Sequence, residues 1–121
     1  MEDSEFLKRK QIFVINKITS IMKNYPQVKY DIKFRNGKKN TAGTILYDPK
    51  THLNTFIFSN YWIVAMFTTE LVNLIKHECA HAISDAVGHG EKFKKICNDL
   101  KCQKRWQTRS IKNMKVYGCM L

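Results

Sequence analysis

A chain of 121 residues, 44% hydrophobic and 12% aromatic, is long enough for one domain with a modest core and too short for two, and its composition excludes a fibrous repeat or wholesale disorder. The net charge of +11 is unevenly spread: residues 51–90 carry −2, whereas residues 91–121 carry +7, from nine Lys and Arg against two acids. Such a basic surface attracts phosphate polyanions and says nothing of fold.

Between Ser4 and Tyr25, Leu7, Val14, Ile18, Ile21, Met22 and Tyr25 recur near helical spacing and Pro26 stops the pattern, which predicts a first amphipathic helix. Val28, Tyr30, Ile32 and Phe34 then alternate with Lys29, Asp31, Lys33 and Arg35, the period of a half-buried strand, ending at Asn36-Gly37. Thr41 to Tyr47 reads as a second strand closed by Asp48-Pro49, and Leu53 to Ser59 as a third. The apolar stretch from Asn60 to Phe67 suits either a strand end or a buried lead into the next helix, and both remain open. Thr68 or Thr69 can cap a helix with Glu70 near the positive end of its dipole and with Leu71, Leu74, Ile75, Ala82, Ile83 and Ala86 on its buried face. Gly88 and Gly90 end it, and a further helix fits Glu91 to about Lys101, with Phe93, Ile96, Cys97 and Leu100 on one face. This order of helix, three strands, helix and helix is α+β. No apolar run approaches the roughly 20 residues of a membrane span, and the N-terminus lacks the pattern of a secretory leader. A cytoplasmic protein is therefore expected, with Cys79, Cys97, Cys102 and Cys119 as reduced thiols.

The chemistry concentrates in His77-Glu78-Cys79-Ala80-His81. Two histidines four apart in a helical segment project from one face, one turn apart, and can share one ion. Zinc takes imidazole nitrogen at about 2.0–2.1 Å, and a catalytic site needs three protein ligands with a position left for water. Glu78, beside the first ligand, is placed to take a proton from that water as general base. The third ligand has three candidates: His89 in Gly88-His89-Gly90, which a break at Gly88 could return to the metal, Glu91 as the main rival, and Asp85. The longer pattern H-E-x-x-H-x-x-G-x-x-H is excluded, because Ser84 and Val87 stand where its glycine and histidine would fall.

His77-Glu78-Cys79-Ala80-His81-Ala82 followed by Gly88-His89-Gly90-Glu91-Lys92-Phe93 resembles the SprT-like metallopeptidases, a family that includes the Spartan proteases of proteins crosslinked to DNA. The resemblance implies an α+β, zincin-like minimal metallopeptidase: N-terminal helix, small three-stranded sheet, motif helix and supporting helix. It also implies one Zn2+ held by His77, His81 and His89, Glu78 as catalytic base, and Phe93 as the residue that seats the returning turn on the motif helix. Residues 1–101 would form the metallopeptidase domain and residues 102–121 its basic C-terminal extension. The paired C-x-x-C knuckles of many relatives are absent, so no second zinc is expected.

Lys104, Arg105, Arg109, Lys112 and Lys115 interleave with Trp106 and Met114, and Lys33, Arg35, Lys38 and Lys39 make a second basic group. Lysine and arginine bind phosphate without reading sequence, and an aromatic can stack on an unpaired base, so DNA is the expected partner beside a protein substrate. A membrane-surface helix would want a clearer apolar stripe. The leading expectation is a zinc endopeptidase acting on DNA-associated or DNA-crosslinked proteins, in the nucleoid or a host cytoplasm. Two alternatives are a peptidase of one regulatory or repressor protein, resembling the ImmA/IrrE-like enzymes in the half-site alone, and a non-catalytic zinc-containing DNA-binding protein.

Overall fold

The computed structural model describes residues 2–37, 42–84 and 90–101. Helix α1 spans Glu2–Met22. It buries Val14, Ile18 and Met22, successive positions four apart on one face. The helix stops ahead of Pro26, and the Tyr25 N–H turns back to the Met22 carbonyl at 2.8 Å.

Three strands follow: β1 (Lys29–Arg35), β2 (Gly43–Asp48) and β3 (Leu53–Ser59). Their order in the sheet is β1-β3-β2, with β1 parallel and β2 antiparallel to β3. In register, Lys29 faces Leu53 and Arg35 faces Ser59, while Gly43 faces Phe58 and Asp48 faces Leu53. Asn36-Gly37 therefore ends β1 without folding it against β2. Gly37 adopts φ 115°, a conformation glycine takes without steric cost, and its carbonyl accepts the Ser59 hydroxyl at 2.8 Å. Alternation is clearest in the central strand, where Asn54, Phe56 and Phe58 are buried, as the period of two requires. At Gly43 an added Cβ would lie 3.0 Å from the Phe58 ring and 3.5 Å from Leu74. Glycine thus lets β2 lie close beneath the helix that follows.

The stretch left open by its sequence resolves as a helix, α2 (Asn60–Ala65). The Ser59 hydroxyl accepts the Trp62 N–H at 3.4 Å and turns the chain from strand into helix, burying Trp62 and Ile63. Helix α3 spans Thr68–Ser84. Its first turn is closed by Glu70, whose carboxylate accepts the Phe67 N–H at 3.0 Å, the reciprocal half of a capping box. The capping position is therefore Phe67, one residue before the two threonines. Helix α4 (Glu91–Leu100) starts from Gly90 and ends at Lys101 in the left-handed region.

The main core joins Val14 and Ile18 of α1, Phe56 and Phe58 of β3, and Leu71, Leu74 and Ile75 of α3. Full burial of each such side chain is worth about 1.5–3 kcal/mol. A smaller cluster of Ala80, Phe93 and Cys97 joins α3 to α4. Cys79 is a free buried thiol, whereas Cys97 is disulfide-bonded, so the expectation of reduced cysteines holds for the first and fails for the second. Among the described residues no helix is long and apolar enough to cross a membrane. The basic extension at 102–121 lies outside the described residues.

Candidate metal centre

Helix α3 forms because its apolar residues repeat at helical spacing, and that repeat fixes the direction of everything else on it. Leu71, Leu74, Ile75 and Ala82 face the main core. His77 and His81 then emerge one turn apart, with ring centroids 5.0 Å apart at 67°. His77 is fully buried and His81 is half-buried.

The supporting helix supplies their wall. Phe93, fully buried in the first turn of α4, sets its ring 5.0 Å from that of His77 and 4.5 Å from that of His81. The residue implied to seat the turn thus touches both imidazoles, where it can limit their rotation.

Glu78 is 2% exposed. It follows His77 by about 100° around the helix, which sets it on the core-facing side, between the directions of Leu74 and Leu71. Its Oε2 has no hydrogen-bond partner among the described residues. Burial pushes its carboxyl up from the ordinary value of 4.5 to about 8, because the charged form loses water and gains nothing in return. The neighbouring Cys79 thiol is likewise pushed far up, first by burial and then by the Glu78 charge. Cys79 is therefore an inert core residue.

A purely structural helix has no use for such an arrangement. Two imidazoles on one face and a buried carboxyl with an unsatisfied oxygen suit a divalent zinc ion and a polar guest beside it. His77 and His81 could hold the ion. His89 and Asp85 lie outside the described residues, and among the described residues no three His, Cys, Asp or Glu side chains cluster as a complete site. Glu91 is 95% exposed, with an oxygen 3.9 Å from Lys94 Nζ, which gives no support to a role as third ligand.

Of the expected nucleic-acid contacts, Lys33 is exposed and Arg35 half-buried, at alternate positions of β1 that also hold Lys29 and Asp31. Lys38, Lys39, Lys104, Arg105, Arg109, Lys112 and Lys115 lie outside the described residues. A polar cluster of Tyr47, His52 and Asn54 at the other end of the sheet answers to no motif in the sequence. Its one sequence signal is the turn opened by Asp48-Pro49.

Among solved structures, the fold is similar to the metallopeptidase zymogen of Methanocaldococcus jannaschii jannalysin, with a TM-score of 0.52 and 19% identity over 71% of this chain and 79% of that one. No curated protein matches the chain. The SprT-like family model matches residues 9–115, which takes in α1 beyond its first turns, the sheet, the motif helix and the supporting helix. The chain therefore belongs to the SprT-like family, and family and fold together support a metallopeptidase.

Proposed function

We propose that this chain is a zinc-dependent endopeptidase acting on proteins associated with or crosslinked to DNA, with Glu78 as its general base. The observation that carries the catalytic part is the Glu78 carboxyl, buried beside His77 with an oxygen that no described residue satisfies. His77 and His81 would hold the ion, with His89 as the expected third ligand. When bound, zinc supplies Lewis acidity for a peptide carbonyl and lowers the pKa of a coordinated water to about 7.

The chain's own part is proton management. Glu78 Oε2 accepts a proton from the attacking water, holds it, and returns it to the nitrogen of the departing amine. A carboxyl that burial places near neutrality can do both. Beside a bound dication the same carboxyl would sit lower, in its proton-accepting form, at the start of the cycle. Phe93 holds the two imidazoles in place, and burial excludes bulk water from His77. The DNA part rests on the net charge of +11, the family, and the exposed Lys33.

Glu78→Gln tests the mechanism. Cleavage of a protein substrate should fall by about 10²–10⁴-fold, the usual contribution of a general base, while bound zinc stays near one equivalent by metal analysis. Cleavage at the wild-type rate would remove Glu78 from the reaction.

A further inference from the structure

At the end of the sheet where β1 and β3 begin, a cavity of about 310 Å³ opens beside the turn between β2 and β3. Its size is at the lower end of small-molecule sites, roughly 300–1,000 Å³. Ala82 and Ile83 of α3 supply an apolar wall. They lie about 120° and 220° around the helix from the midpoint of His77 and His81, so the cavity sits on a different side of α3 from the histidine face.

Val28 adds to that wall, and the rest of the described lining is aromatic or polar. Tyr47 and His52 are both exposed there, with ring centroids 6.2 Å apart at 53°. The Tyr47 hydroxyl is 2.7 Å from His52 Nδ1. His52 itself is held at φ 63°, its N–H bonded to the Asp48 carbonyl at 2.7 Å. The same turn is tied again by the Lys50 N–H on Asp48 Oδ1 at 2.9 Å. Two aromatic rings are therefore fixed at an angle before any ligand arrives, which lowers the entropy cost of binding. Gln27 adds an exposed amide, Asn54 a buried one whose Nδ2 donates to the Lys29 carbonyl at 3.2 Å, Lys29 adds an ammonium, and among the described residues no carboxylate lines the cavity.

We infer that this cavity takes one unpaired base of a single-stranded nucleic acid, stacked on Tyr47, edged by His52 and the Gln27 and Asn54 amides, with Lys29 on the adjoining phosphate. Stacking rings, amide edges and a cation together match a base and its backbone. An acidic peptide would use Lys29 alone and leave the rings and amides without a flat partner. The inference deepens the nucleic-acid half of the proposed function and rests on it, while using residues apart from the 33–39 loop and the C-terminal basic segment.

The test is fluorescence anisotropy of the full, zinc-loaded chain with a labelled oligo-dT strand and with an abasic strand of equal phosphate count. Tyr47→Ala should weaken oligo-dT binding roughly 5- to 150-fold, the range of one base–aromatic stack, and leave abasic binding within about twofold. Tyr47→Phe, which keeps the ring and gives up only the bond to His52, should lose much less affinity than Tyr47→Ala, and Lys29→Ala should lower the salt slope by about one. Equal losses on both strands, no loss, no oligo-dT binding by the unaltered chain, or displacement by polyglutamate as effective as by oligo-dT would each overturn the inference. Cleavage of a DNA-free protein substrate, measured in parallel, reports on the peptidase half alone. It should be unchanged in Tyr47→Ala, and its absence from the unaltered chain would sink that half while the binding comparison stood.

Discussion

Helices α1 and α3 pack into one core and bury different chemistry. The fully buried face of α1 is Val14, Ile18 and Met22, all apolar. That of α3 begins the same way, with Leu71, Leu74 and Ile75, and then takes His77 and Glu78 to 0% and 2% exposure. Burial on α1 contributes stability outright, whereas a buried carboxyl without a partner costs it. The second half of α3 is therefore shaped by something other than folding, and a protein tolerates such a cost where a site requires it.

The sharpest way to break this comparison is to remove one large buried side chain from α1 and one from the wall that α4 sets against the α3 histidines. Phe93→Ala, which empties the wall behind both imidazoles, should cost about 3–5 kcal/mol in urea unfolding. It should also weaken zinc roughly 10- to 100-fold, the usual effect of losing a group that orients ligands. Ile18→Ala should cost about 2–5 kcal/mol and leave the zinc affinity of the folded protein unchanged. If both variants lost zinc affinity equally, the α3–α4 contact would hold no special place.

The same contrast explains what could be read from the sequence. α1, the central strand and the apolar half of α3 followed from periodicity alone, because burial is what periodicity encodes. α2 did not, since six residues from Asn60 to Ala65 are too few to separate a helix from a strand end, and the Ser59 cap that decides it is a contact rather than a pattern. Strand order was not legible either. Asn36-Gly37 marks the end of β1, but the parallel pairing of β1 with β3 depends on which edge β2 occupies, a tertiary choice seen in the close seat of Gly43 under Leu74. The histidines and Glu78 were legible as a motif, whereas family resemblance implied only that Phe93 seats the returning turn, and its contact with both rings is visible in the fold alone. Tyr47 and His52 belong to no period or motif, and only the fold places them around one cavity.

A smaller effect follows from Glu78 in the metal-free protein. Its folded pKa of about 8 lies above the ordinary 4.5, so between those values the folded state holds a proton that the unfolded chain has released. Stability from this group is therefore full below about pH 4.5, falls as pH rises, and levels off above about 8. Glu78→Gln abolishes the titration. Metal-free Glu78→Gln should be more stable than metal-free wild type by a margin that grows from pH 5 to 8, on the order of a few kcal/mol at the upper end. Parallel stability curves for the two proteins would show that Glu78 titrates as an ordinary exposed acid.

The smallest effect decides between ligand sets. Glu91 stands at the start of α4, 95% exposed, with Lys94 Nζ 3.9 Å from its carboxylate, and a surface ion pair of that kind contributes little. Glu91→Gln should therefore shift stability by less than about 0.5 kcal/mol and leave zinc content and peptide cleavage as they were. A ligand cannot be removed so quietly. Losing a first-row metal ligand would lower zinc affinity far more than any surface substitution, and the loss would be plain in metal analysis after dialysis. If Glu91→Gln lost zinc while His89→Ala kept it, the third ligand would be the carboxylate, and the SprT-like assignment of the returning turn would have to be redrawn around α4. With the opposite result, α4 holds the site through Phe93 packing alone, and the metal closes on the segment that links the two helices.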